Sequence, residues 1–538
     1  MTSAPNLDLA KQEVPAYDLV IIGYGMVGSI AALLATHYKL KVAVMEIRHA
    51  NDLYIPKAGR IDAEVLRIFE HLGLRKEVEK LLHPLHKTAV VDKNNHLLFE
   101  LKHQEIEGFA PMYGMYQPDV QALLHKKIKQ QSRKYINVYE KHRAEAIEQA
   151  KDYVKIIAYN LENDQFFELK TRFLLACNGQ ESLVPAQCDL KYEYFSYSNF
   201  TLNVDTYCKD ALTLPFCART ICDTKYPVTC ITDSAHHQRW EFRLDPDTIA
   251  LPDISEQVRK ILEQLISGEF EIQNSFIHSY ETRVLNKWQR KRIFITGDAA
   301  HVIPPYLGVG LSAGIKDVYN LIWKISLVSE HSLAGKILDY YQGEREGNVR
   351  YLLQLNLGVQ KLFNSRWLSF ARYLLPFIPK TFLEKNLNLG TLVKIGLVGA
   401  KHKLSGTCIP YFKVYGPSGK ETSIDSLLGD GFVFIAFGKD PVDATTPKEI
   451  EYLAHAGVKF VKIISKNEQL TLDGRYSEHW QDRDGKMEQW FLKYRIKYLF
   501  LRPDRILFDA ARNEKQLRKM LQVLKAKMPL RGELKIEN

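Results

Sequence analysis

Three glycines spaced Gly23-x-Gly25-x-x-Gly28, and an acid at Glu46, are the first residues whose types and spacing could do chemistry. An apolar run, Tyr17 to Ile22, precedes them, and a small-residue stretch, Ser29 to Ala35, follows. A second apolar run, Lys41 to Met45, then ends at Glu46. Strand, glycine turn, helix, strand and acid, with 23 residues from Gly23 to Glu46, is a dinucleotide-binding pattern. Gly23 permits the tight turn, Gly25 lets the backbone reach a pyrophosphate, and Gly28 allows close helix–strand packing. Amides at the helix N-terminus receive the phosphate charge, and Glu46 can accept hydrogen bonds from ribose hydroxyls. A second cluster, Gly297-Asp298 and Pro304-Pro305 to Gly308-Val309-Gly310-Leu311-Ser312, follows the apolar run Ile293 to Ile295. A strand there would deliver Gly297 and Asp298 at its C-terminal end, where open α/β sheets bind ligands. Asp298 can accept from polyol hydroxyls, Pro305 stiffens a wall, and the Gly308–Gly310 loop brings amides close to a planar ring. A helix predicted from Ala313 to about Val328 aims its N-terminus at that ring, where it stabilises negative charge.

The elements that must hold these residues read as an α/β chain. Residues 1–190 and 286–345 are expected to form one discontinuous nucleotide-binding domain, with helices over Ile61 to Leu72 and Pro118 to Gln130. From 191 to 285 the alternating segments FTLNVD, PVTCIT and RWEFRL predict an antiparallel sheet that covers a substrate pocket. Aromatic segments near Tyr113 and Tyr116 are expected to share in its walls. Residues 346–402 have helical spacing and hold the aromatic, basic run LFNSRWLSFARYLLPFIPK, which suits helices packing across domains or, alternatively, a membrane surface. Lys403 to Gly419 has the Gly and Pro content of a linker, and residues 403–538 are assigned to a separate C-terminal α/β unit.

Composition narrows the class. A chain of 538 residues holds roughly three domains. Its 46% hydrophobic and 25% charged content excludes wholesale disorder. No stretch approaches the ~18 uninterrupted apolar residues of a membrane span, and the leader MTSAPNLDLAKQEVPAYD lacks a signal-peptide layout. Seven Cys without a C-x-x-C favour a reducing, cytoplasmic setting with no structural zinc and no metal centre. A net charge of +10 spread along the chain forces no nucleic-acid partner.

The block GDAAHVIPPYLGVGLSAGIKDVYNLIWKI resembles the motif GDAAHxxPPxxGxGxNxGxxDAxNLxWKL of FAD-dependent aromatic hydroxylases, the single-component flavoprotein monooxygenases typified by p-hydroxybenzoate hydroxylase. PKAGRIDAEVLR (Pro56 to Arg67), GMYQP (Gly114 to Pro118), CDTKYPVT (Cys222 to Thr229) and QRWEFRLDP (Gln238 to Pro246) resemble elements of its 3-(3-hydroxyphenyl)propionate hydroxylase branch. LLGDGFVFIAF and LRPDRILFDA resemble the thioredoxin-like C-terminal domain of the phenol-hydroxylase relatives. The resemblance implies a Rossmann-like FAD-binding domain, an antiparallel substrate domain and a thioredoxin-like domain. It implies that NADH or NADPH reduces FAD, that O2 adds at the flavin C4a position, and that hydroxyl passes to an electron-rich small aromatic substrate. By resemblance Gly23, Gly25, Gly28 and Glu46 hold the ADP half, Gln117 the ribityl region, and Gly297 and Asp298 the ribityl or pyrophosphate. Lys57 takes a place where relatives carry Arg. Pro305, Gly308, Gly310 and Leu311 border the isoalloxazine, Arg239 matches an arginine that lies against the flavin, and His301 is a further catalytic candidate. The C-terminal unit has no Cys after Cys408, so thiol redox chemistry is excluded there, and a packing or homodimer role remains.

The chain departs from the pattern at Lys57, Asn178, Pro185 and Ser312, where relatives carry Arg, Asp, Arg and Asn. Those near Asn178 bear on reduction by the nicotinamide more than on FAD binding. The alternatives are a flavin oxidase or reductase, an oxygenase of a polyketide-type ring, and a non-catalytic FAD-binding protein.

Overall fold

Strands Ile136–Glu140, Val42–Glu46, Tyr17–Ile22, Gln165–Ala176 and Ile293–Ile295 lie side by side in that order, all parallel, in the computed structural model. Residues 16–49, 52, 55–92, 94, 96–102, 108–131, 133–210, 218–223, 227–244, 254–330, 333–364, 390–399, 402–468 and 477–530 are described. The three middle strands of this sheet end in nearly unbroken buried runs, because helices cover both faces of a parallel sheet. The chain starts in the middle of the sheet and adds neighbours on both sides, so a crevice opens at the carboxyl ends of the central strands. Helix Met26–His37 follows the first strand, and Gly310–Ser329 packs beside it through Val27 and Gly314.

The second sheet runs His301–Val302, Phe270–Leu285, Tyr192–Cys208, His237–Leu244, Val228–Thr232, Ala218–Cys222, Lys87–Asp92, Leu97–Lys102. This corrects the expected boundary of 191–285. Lys87–Asp92 pairs in parallel with Ala218–Cys222, so two strands from the first part of the chain belong to the middle sheet. Their apolar alternation fits either sheet, and only the distant partner decides. One face is dry: Leu202, Val204, Trp240 and Phe242 pack with Val258 and Leu262 of helix Ile254–Leu265. The alternate residues of His237–Leu244 point the other way, toward the crevice.

The C-terminal sheet runs Glu421–Ser423, Lys413–Tyr415, Ser477–Asp482, Lys459–Ser465, Val433–Phe437, Tyr498–Leu501, Leu507–Ala511. Ser477–Asp482, Lys459–Ser465 and Val433–Phe437 are parallel, Tyr498–Leu501 runs antiparallel to them, and Leu507–Ala511 runs antiparallel to Tyr498–Leu501. Its helices start at side-chain caps: Thr446 and Glu449 form a capping box, and Asn513 accepts from Gln516 N.

The expected linker is a packed segment, and the C-terminal unit, besides its own core, shares a core with the nucleotide-binding domain. Leu404, Ile409, Phe412 and Val414 are buried in one core of the C-terminal sheet, while Phe432, Phe434, Phe500 and Phe508 join the core of the nucleotide-binding domain. Gly and Pro between 403 and 419 mark turns in a packed segment, whose Ile409 carbonyl accepts from Arg67 at 2.7 Å. The hairpin residue Arg502 pairs with Glu344 and Asp504, and Lys324 Nζ donates to Glu344 at 2.6 Å. The Arg502, Glu344 and Lys324 side chains are 0% exposed. Burial raises the Glu344 carboxyl, but Arg502 and Lys324 outweigh burial and hold it at about 2.

The leader 1–15, most of the aromatic, basic run, and parts of CDTKYPVT and QRWEFRLDP lie outside the described residues. No helix among the described residues is long and apolar enough to cross a membrane.

Glu344→Gln leaves Lys324 and Arg502 buried without their counter-charge, and the urea midpoint is expected to fall by the equivalent of about 3–5 kcal/mol. The folded-state carboxyl at about 2 lies below its ordinary 4.5, so its contribution is complete above that value and lost as pH falls through about 2. The stability gap between wild type and variant should therefore hold from neutral pH down to about 5 and narrow below it. A gap independent of pH would contradict the assignment.

Candidate active site

The parallel register sets the site. Ile22 aligns with Ala176, and Ala176 with Ile295, so the turns that follow the three strands lie side by side. Cys177 N donates to Ile22 O at 2.8 Å and Thr296 N to Ala176 O at 3.0 Å. A Cβ on Gly28 would collide with Gly23 O, so only glycine allows the helix to start this close to the strand. A Cβ on Gly25 would meet nothing within 4 Å, because that side of the turn faces open space.

That space is a cleft of about 1110 Å³, counting its open mouth. Two helix starts reach it, Gly25 to Val27 and Gly308 to Leu311, and neither helix has a side-chain cap or an acidic residue in its first turn. Their free N–H groups and positive ends make the cleft attractive to anionic groups. Lys57, Gln117, Gly297, Asp298 and Pro305 line it as well. Gln117 also accepts from Ala58 N at 2.9 Å, tying down the Lys57 to Arg60 segment.

The remaining expected site residues lie outside the lining. Gly23 and Gly28 shape the turn from behind. Glu46 accepts from Tyr24 N at 2.8 Å and Arg48 N at 3.1 Å, which places its carboxylate beside the glycine turn. Two catalytic candidates stand behind the lining. His301 is buried behind the Gly297–Ala299 turn, with Nε2 2.7 Å from Asp317 Oδ2 and its ring 4.9 Å from that of Trp288. It holds Asp317, which also accepts from Gly297 N at 3.1 Å and Arg345 Nε at 2.8 Å. Arg239 is committed to Asp205 through contacts of 2.8 and 2.9 Å, and it stands beneath Gly59, whose Cβ would meet Arg239 Cδ at 3.1 Å. It backs the wall rather than forming it. Tyr113 and Tyr116 are also absent from the lining; Tyr113 Oη accepts from Ala110 N, and Tyr116 Oη from Asn274. Ser312 Oγ accepts from Asp62 N at 3.2 Å, and Asn178 is exposed.

Sequence reasoning missed Arg60, Glu241, His278 and Tyr280, which also line the cleft. A signal existed. In RWEFR the charges fall at 239, 241 and 243 while Trp240 and Phe242 are 0% exposed, so a period of two puts three charges on one face. Burial pushes the Glu241 carboxyl up against the pull of Arg60, Arg239 and Arg243. Burial, followed by Lys57, lowers His278 to about 4, so its ring is neutral near pH 7. His278 Nε2 and Arg60 Nε are buried with no partner within the protein, as polar atoms that face a ligand would be.

Residues 16–355 match the family model described as FAD binding domain. The chain belongs to that family. An open glycine turn, two uncapped helix starts and an acid beside the first turn make the cleft suited to a dinucleotide. Residues 406–527 match the HcaD C-terminal domain. The chain is 25% identical over 516 residues to the 3-(3-hydroxy-phenyl)propionate/3-hydroxycinnamic acid hydroxylase of Shigella sonnei, covering 92% of this chain and 91% of that protein. It is 24% identical, with the same coverage, to the protein of that name in Escherichia coli K12. The flavin-dependent monooxygenase PieE, solved with FAD and substrate, has the same fold with a TM-score of 0.79 at 15% identity, covering 95% of this chain and 99% of that one. Aklavinone-11 hydroxylase with FAD and aklavinone superposes with a TM-score of 0.72 at 17% identity and the same coverage.

Gly25→Ala is expected to keep the far-UV spectrum and melting temperature but to lose flavin at least about tenfold, because its methyl enters the cleft. Gly28→Ala should fail to fold stably. The ratio of flavin to protein absorbance reads both, and full flavin retention in Gly25→Ala would move the cofactor away from this turn.

Proposed function

We propose that the protein is an FAD-dependent monooxygenase that hydroxylates a phenolic or related aromatic substrate, with O2 and with NADH or NADPH as electron donor. One observation carries this reading: the cleft has two unlike sets of lining residues. Helix starts and glycine turns suited to a dinucleotide share the cleft with Glu241, His278 and Tyr280 of the middle sheet and with Arg60, which packs against Gly308. When bound, FAD supplies the hydride acceptor and the activation of dioxygen. Relatives named as hydroxylases of 3-hydroxyphenyl acids support an aromatic substrate.

In this reading Gly23, Gly25, Gly28 and Glu46 hold the ADP half, while Lys57, Gln117, Gly297 and Asp298 hold the pyrophosphate and ribityl chain. Pro305, Gly308, Gly310 and Leu311 border the ring. The middle sheet excludes water and presents polar groups to the substrate. Glu241, its carboxyl raised by burial, is the group placed to take a phenolic proton. Neutral His278 offers Nε2 as a hydrogen-bond partner. The C-terminal unit, read as thioredoxin-like from the resemblance of LLGDGFVFIAF and LRPDRILFDA, acts by packing and not by thiol chemistry. Cys408 is half-buried, and desolvation pushes its thiol up to about 12. The described cysteines are all free, which suits a reducing, cytoplasmic setting.

Anaerobic stopped-flow reduction of the bound flavin by NADH and by NADPH, with and without hydroxylated phenylpropanoids and benzoates, tests the reading. Reduction accelerated by a phenol, followed by hydroxylated product in air, is the expected result. Flavin that neither nucleotide reduces would hand the site to the oxidase or non-catalytic alternatives. Glu241→Gln is expected to retain FAD and to slow product formation roughly hundredfold, as loss of a general base does. An unchanged rate would remove Glu241 from that role.

A further inference from the structure

Far from the lining of the cleft, three side chains of metal-binding type meet where the C-terminal unit joins the nucleotide-binding domain. His37 ends helix Met26–His37, His71 ends helix Ala63–His71, and Asp430 lies between helix Ile424–Leu428 and strand Val433–Phe437. Their ligand-type atoms lie within 4.8 Å of one another, and this is the one such group of three among the described residues. Both imidazole Nε2 atoms are 2.8 Å from the same oxygen, Asp430 Oδ1. Elsewhere a buried carboxylate takes a single imidazole, as Asp317 takes His301 and Asp233 takes His237.

The surroundings of His71 match those of a ligand. Its Nδ1 is 3.0 Å from Tyr319 Oη, and that hydroxyl can pass its own proton to Pro503 O at 3.4 Å. Without a metal Nε2–H donates to Asp430; when an ion takes that proton's place, Nδ1–H donates to Tyr319 and the relay orients the ring. The His71 side chain is 3% exposed, whereas His37 is 32% and Asp430 54%, so one side stays open to water. Tetrahedral zinc with bonds of about 2.0–2.1 Å holds neighbouring donors about 3.3 Å apart, so the two Asp430 contacts need to open by about 0.5 Å, while the two imidazole nitrogens already lie within 4.8 Å of each other. The half-exposed Asp430 can supply that movement. Arg505 is a cation whose charge reaches His71; it donates to Gly429 O and Pro503 O, and Asp425, 3.9 Å away, offsets its charge.

We propose that His37, His71 and Asp430 form a site for a divalent transition-metal ion of the zinc class, with water in the fourth position. The ion ties the C-terminal unit to the nucleotide-binding domain. Two imidazoles and one carboxylate favour zinc or cobalt over the oxygen-seeking magnesium and calcium. Cysteine spacing could not reveal such a site, because its ligands are histidines and an acid brought together by domain packing.

The test uses full-length, tag-free, FAD-loaded protein stripped with a chelator and titrated with Co2+ alone. The expected result is one Co2+ per chain with visible d–d absorption of a four-coordinate site, displaced by one equivalent of Zn2+. Asp430→Asn and His37→Ala, both at partly exposed positions, should retain flavin and weaken Co2+ binding at least tenfold. Zn2+ should raise the melting temperature of wild type and not of Asp430→Asn. Absence of stoichiometric Co2+ binding, or equal affinity in Asp430→Asn, would overturn the proposal and leave a hydrogen-bonded clamp only.

Discussion

The carboxylate of Asp317, 0% exposed, accepts from Gly297 N, His301 Nε2 and Arg345 Nε. These three groups come from a turn, a short strand and a helix, and Asp317 itself sits on the helix whose start faces the cleft. Fixing Gly297 at φ +58° sets the direction in which Asp298 leaves the turn. A buried charge of this kind is costly unless every donor is in place. The pairing with Arg345 and His301, which outweighs burial and lowers Asp317, meets that condition. The Gly297 end of the cleft is therefore held for an electrostatic reason, and the buried His301 is part of that support.

The same logic joins the C-terminal unit to the rest. Arg502, Glu344 and Lys324 are fully enclosed, and Arg67 with Asp425 forms a second buried pair at 2.6 Å across the same boundary. Such pairs contribute less to net stability than to register, because misdocking would strand a charge without water. Aromatic packing adds the apolar part, with Trp323 edge-on to Phe432 at 5.4 Å. The C-terminal sheet therefore has a core on each face, one its own and one shared.

The middle sheet separates its tasks by strand periodicity. Trp240 and Phe242 seal one face, while Arg239, Glu241 and Arg243 occupy the other. Cross-strand register then assigns different fates to similar residues. Arg239 sits opposite Asp205 and is neutralised by it, whereas Glu241 sits opposite Asn203 and Thr229 and keeps its face toward the cleft.

Much of the nucleotide end was legible in the chain. The glycine turn, Glu46 and the Gly297–Leu311 block depend on local geometry, a tight turn and a helix start, which short segments encode by residue type. Helix bounds shifted by only a few residues, as where the helix predicted from Ala313 begins at Gly310. What required tertiary structure was every choice of partner. The strand Lys87–Asp92 joins the middle sheet, the segment after Lys403 is buried rather than a linker, Arg239 is spent on Asp205, and Glu241 and His278 become the wall. Local sequence determines turns, caps and alternation because those energies act between near neighbours. Which charged face meets which cleft is decided by contacts between residues far apart in the chain, where burial and counter-charge act only after the domains have packed.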